Sequence, residues 1–139
     1  MDINSLLHAV NTDTNETIVD LDFATIAKHK NDILQQLNLP RADLVALQKK
    51  LKTYRYIEDL KDMRFGAYIR WISLKNPEVV KLTNGGIIVD IQSTNDDIKI
   101  KCKNRMNQIF QIKLSEVIIF QKLSQQEEVI LKALKYLQE

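Results

Sequence analysis

The sequence predicts an α+β fold: an N-terminal helical hairpin, a five-stranded antiparallel small barrel of SH3-like shape, and a capped C-terminal helix. Three observations carry this. Apolar residues from Phe23 to Tyr54 recur at helical spacing. Between Gly66 and Leu123 the pattern changes to alternation, in short segments rich in isoleucine, valine and aromatics. Beyond them Ser124 and Glu127 stand in the S-x-x-E relation of a capping box, ahead of a second apolar run at helical spacing.

Residues 1–21 read as an acidic arm. Residues 1–22 hold Asp2, Asp13, Glu16, Asp20 and Asp22 with no lysine or arginine, a net charge of −5, whereas residues 23–113 carry +8. An acidic lead on a basic body suits partner docking, or folding back on its own surface. Residues 22–57 should form the helical hairpin. Phe23, Ile26, Ala27, Ile33, Leu34 and Leu37 mark a first amphipathic helix with Asp20 or Asp22 as its N-cap, and Pro40 opens a second. In that second helix Leu44, Leu47, Leu51 and Tyr54 make a narrow apolar stripe, which suits a helix pair or a protein partner.

The barrel should span residues 66–123, with strands in "AYIRWISL", "GIIVDIQ", "IKIKCK", "IFQIKL" and "VIIFQKL". In the third, Ile98, Ile100 and Cys102 alternate with Lys99, Lys101 and Lys103; in the fourth, Phe110, Ile112 and Leu114 alternate with Gln111 and Lys113. Asn84-Gly85-Gly86 reads as a positive-φ turn entering a strand. Asp90 should face outward, opposite to Val89 and Ile91. With five short strands and one apolar face, a closed or half-closed barrel would remove most exposed edges. The last helix, residues 124–139, should pack across an open end of that barrel.

Much chemistry is missing from this pattern. The two histidines, His8 and His29, lie far apart without a ligand cluster, and Cys102 sits on an apolar strand face. "TNGGIIVD" lacks the spacing of a phosphate loop and precedes a strand. No catalytic, cofactor or metal site is expected, and no small-molecule substrate. No apolar run is long enough to span a bilayer, and "MDINSLLHAV" has no basic signal-peptide region. A single thiol in a lysine-rich chain suits a reducing compartment.

Three surfaces remain as binding candidates. "KKLKTYRY" interleaves Lys49, Lys50, Lys52 and Arg55 with two tyrosines, a combination that neutralises phosphates and stacks on bases, or is simply a solvated helix face. Lys99, Lys101 and Lys103, with Arg105 in the next turn and Lys113 on the neighbouring strand, form a basic sheet face or an edge protected from aggregation. Tyr68, Arg70 and Trp71 open the first strand, with Tyr68 and Arg70 on one face and Trp71 on the other. They suit a peptide groove, or for Trp71 the core.

From about Tyr56 to Leu137, the motifs "YIRWI", "LTNGGIIVDI", the lysine hairpin and "IIFQKLSQQEEVILKAL" together resemble small uncharacterised proteins encoded by nucleocytoplasmic large DNA viruses of protists and algae. That resemblance implies a virus-encoded accessory protein, a minor virion component or one acting with viral nucleic acid. It brings no catalytic residue with it. The expected location is the cytoplasm or nucleus of a host cell, or a virion, without secretion. Two functions are in view. The first is a non-enzymatic protein–protein interaction module, docking or self-associating through Leu44, Leu47, Leu51 and Tyr54. The alternative is a nucleic-acid-binding factor using the two basic segments.

Overall fold

The structure is a computed structural model and describes residues 22–138. The acidic arm, residues 1–21, lies outside the described residues. Helix α1 runs Phe23–Gln35. The Asp22 carboxylate accepts from the Thr25 N–H at 2.6 Å, as an N-cap should. A turn with Asn38 at φ 53° ends the run, and Pro40 leads into α2, Arg41–Lys50. The Lys30 ammonium donates to the Leu51 carbonyl at 2.8 Å, tying the end of α2 to α1.

The second helix stops earlier than its apolar stripe suggests. Tyr54–Ile57 is a strand, β1, so the hairpin expected over residues 22–57 gives way to two helices and a strand. Leu47, Leu51 and Tyr54 keep helical spacing across this boundary, which conceals it. The β-branched and aromatic run "TYRYI" favours the extended form. A 3-10 turn at Leu60–Asp62 follows, then β2 (Tyr68–Ser73), β3 (Gly86–Ser93), β4 (Ile98–Lys103), β5 (Ile109–Lys113), a 3-10 turn at Leu114–Glu116, β6 (Val117–Lys122) and α3 (Gln125–Gln138).

The strands form one antiparallel sheet in the order β1-β6-β2-β3-β4-β5. It has six strands and is open, not the expected closed or half-closed five-stranded barrel. β1 occupies the outer side of β6, while among the described residues β5 pairs only with β4, so both ends of the row are edges there. Burial comes from helices lying on the sheet instead of from closure, an α+β solution. One face gathers Ile57, Ile69, Trp71, Ile88, Ile100, Cys102 and Ile119 into a core. On the other, α1 and α2 bring Leu34, Leu47 and Leu51 against Tyr54, Ile72, Ile118 and Phe120. β6 is therefore buried on both sides from Val117 to Gln121.

Alternation holds in β4, whose Ile98, Ile100 and Cys102 all join the first core. It breaks in β3. Ile88 opposes Cys102 and Asp90 opposes Lys101, leaving Val89 as an extra residue in a β-bulge. Ile88 and Ile91 therefore face inward, while Val89 is exposed, the reverse of the expectation for Val89.

The capping box at the start of α3 is reciprocal. Glu127 N–H donates to Ser124 Oγ at 3.1 Å, and Ser124 N–H to Glu127 Oε1 at 3.0 Å. The helix packs its Ile130 and Leu131 on Ile26 of α1 and on Leu123. It docks on α1, not across a barrel end, because there is no barrel to close. Glu127 is 2% exposed and meets two arginines: Arg64 at 2.9 Å and Arg55 at 3.9 Å. Arg55 also faces Asp62 at 3.8 Å. Fully buried Gln121 accepts from the Arg64 N–H and donates to the Asp62 carbonyl, both at 3.0 Å. Removing one partner from such a cluster strands the other charge out of water. Glu127→Ala should destabilise the fold by about 3 kcal/mol, whereas Glu128→Ala should cost under about 0.5 kcal/mol. Denaturant unfolding of both variants checks this, and equal small losses would contradict it.

Candidate functional site

The candidate site is a groove beside the uncovered half of the sheet. The face that α1 and α2 cover over β1, β6 and β2 continues across β3, β4 and β5, where no helix among the described residues covers it. Register shows the continuity: Tyr68 opposes Ile87, Ile87 opposes Lys103, and Lys103 opposes Ile109. Lys99, Lys101 and Lys103 project from this open part, with Lys99 directly across from Lys113. Two like charges so placed repel. Neither lysine has an ion pair among the described residues. The carboxylates nearby are Asp90, across from Lys101, and Asp97. A hydrogen bond from Ser115 holds the Asp97 carboxyl below the usual carboxylate range, helped by the Ile98 N–H and, more weakly, by Lys113.

Where the covered and open halves meet, a groove of about 620 Å³ opens. Strand side chains supply Tyr54 from β1, Tyr68 and Arg70 from β2, and Lys122 from β6. Two turns supply the rest: Asn84 and Gly85 before β3, and Asn104, Arg105 and Met106 between β4 and β5. Among the described residues, three cations line it and no carboxylate does. Tyr54 and Lys122 are register partners, so the β1–β6 pairing itself sets them side by side. Burial pushes the Tyr54 hydroxyl's pKa up; nearby Arg70 opposes that shift and Tyr68 adds to it.

Local hydrogen bonds fix the groove before any ligand arrives. Arg70 Nε donates to the Thr83 carbonyl at 2.8 Å, which leaves its terminal nitrogens for other partners. The Tyr68 hydroxyl donates to the Asn84 carbonyl. Gly85 has φ +82°, and a Cβ there would sit 2.0 Å from the Ile69 carbonyl oxygen, so only glycine lets the turn lie against β2. Asn104 closes the β4–β5 turn by accepting from the N–H groups of Met106 and Gln108.

The residues singled out from sequence divide sharply. Leu47, Leu51 and Tyr54 are buried and Leu44 half-buried against the chain's own core, so the stripe expected to dock a partner is occupied internally. Arg55 is 6% exposed and held by Asp62 and Glu127, which removes it from the expected basic surface. Lys49, Lys50 and Lys52 are exposed but do not line the groove. Arg105 does, at the end of the lysine row. Trp71 is in the core, while Tyr68 and Arg70 from the same strand line the groove. Lys122, Asn84, Gly85, Asn104 and Met106 carry no local signal of a site, because only the long-range register of the strands and the packing of the Gly85 turn on β2 place them there.

Among the described residues no group of three or more His, Cys, Asp or Glu could hold a metal, and no helix is long and apolar enough to cross a membrane. Cys102 is fully buried, and that burial pushes its thiol up to about 12. No family model, curated protein or solved structure matches the chain.

Two outcomes are expected. Gly85→Ala should cost about 2 kcal/mol or more in denaturant unfolding, and Gly66→Ala about 1 kcal/mol, since a Cβ at Gly66 meets nothing within 4 Å. Cys102 should resist a thiol reagent in the native protein at neutral pH and react at once in denaturant; fast native labelling would show that the core face opens.

Proposed function

We propose that this chain is a non-catalytic nucleic-acid-binding module, with its contact surface on β3, β4, β5 and the adjoining groove. One observation carries the reading. Arg70, Lys99, Lys101, Lys103, Arg105, Lys113 and Lys122 stand along one sheet face and its border, and none has an ion pair among the described residues. Elsewhere buried Arg55 and half-buried Arg64 pair with Asp62 and Glu127. Unpaired cations on one surface suit a polyanion, whose phosphates release condensed counterions when neutralised.

Exposed Ile87, Val89 and Ile109 lie among the lysines, giving apolar contact for sugars and bases beside the charged groups. The accessory role with viral nucleic acid implied by the sequence resemblance agrees with this reading. A protein-docking role through Leu44, Leu47, Leu51 and Tyr54 has less support, because those side chains face the chain's own core.

The test is salt dependence. Binding of a fluorescent oligonucleotide should weaken steeply as salt rises. Lys101→Ala and Lys103→Ala should each lower the slope of log K against log salt by about one unit. Lys50→Ala, away from the groove, should leave it unchanged. No anisotropy change with DNA or RNA at low salt would refute the proposal.

A further inference from the structure

Resting on that reading, we infer that the groove between the Asn84–Gly85 and Asn104–Met106 turns is a single-strand subsite, taking a phosphodiester with its unpaired nucleotide. The groups that face it are donors. Arg70 keeps its terminal nitrogens after its Nε is spent on Thr83, and Arg105, Lys122 and the Tyr54 hydroxyl add to them. The Thr83 and Asn84 carbonyls and the Asn104 side-chain oxygen beside it are already engaged, by Arg70, by Tyr68 and by the Met106 and Gln108 N–H groups. A donor-rich groove with no carboxylate among its described lining residues matches a phosphodiester, which offers only acceptors and one negative charge.

Size then separates single strands from duplexes. About 620 Å³ is the room of a pocket for a drug-sized ligand, enough for about one or two nucleotides. A duplex would reach half-buried Arg70 only by extruding a nucleotide and losing its pairing and stacking. The lysine row continues the contact outside the groove, with Lys103, Lys101 and Lys99 repeating every ~6.7 Å along β4.

The test compares one labelled oligonucleotide, single-stranded and as a blunt duplex, at fixed moderate salt with the full chain. The single strand should bind about tenfold more tightly. Arg70→Gln and Lys122→Gln should each weaken the single strand about tenfold while changing the duplex less than about twofold, so that the preference disappears. Lys101→Ala should weaken both forms alike. Lys122 is exposed, so its variant remains informative if Arg70→Gln fails to fold, which circular dichroism reports. Equal affinity for the two forms, or proportional losses in both with Lys122→Gln, would overturn the subsite while leaving nucleic-acid binding intact. Failure of the wild-type chain to bind either form would overturn both.

Discussion

The buried carboxylate of Glu127 is the constraint on which the arrangement depends. A carboxylate withdrawn from water is tolerated only when opposite charge and hydrogen bonds surround it. Glu127 meets that demand by accepting from Ser124 and pairing with Arg64 and Arg55, so one side chain starts α3, holds β1 and tethers the segment before β2. Arg55 and Gln121 are register partners as well as members of this cluster. The cluster therefore locks β1 onto the edge of β6, and the next pair along the same ladder is Tyr54 with Lys122. The groove inherits its geometry from a buried charge that never touches it.

The second organising fact is uneven cover. Among the described residues, two short helices shield only the β1, β6 and β2 part of one sheet face, where Ile72, Ile118 and Phe120 supply matching apolar side chains. Beyond β2 the same face turns to lysine. An open sheet with one half covered and the other charged has a natural border, and the border is where two turns and the strand ends enclose a cavity. Lysines on β4 and Lys113 on the edge strand also discourage pairing with other sheets, so binding and solubility place no conflicting demand on these positions.

Local features of the fold were legible in the sequence. Asp22 as a cap, the strict alternation of β4, the turn at Gly85 and the Ser124–Glu127 box all depend on neighbours a few residues away. What was hidden depends on distant ones. β1 escaped because Tyr54 continues a leucine stripe, and without β1 the strand count favoured a closed barrel. Arg55 looked like a surface charge, since nothing nearby reveals partners at Asp62 and, much farther on, Glu127. The groove was half visible: Arg105, Tyr68 and Arg70 stood out by type, whereas Lys122 and the turn reach the site only through pairing that composition does not encode.

The bulge at Val89 bears on how this chain tolerates changes in length. Ile88 and Ile91 both face the core although three residues apart, a spacing that unbroken alternation would forbid. β3 is therefore one residue longer than its facing pattern requires, and Val89 is the surplus. Loss of that residue would leave every other side chain of the strand on its present face. Loss of any other interior residue would have to be absorbed by erasing the bulge, or Asp90 would turn toward the isoleucines. Of all positions in this sheet, the bulge is the one where insertion and deletion can be neutral to the core, and it sits in the strand beside the lysine row.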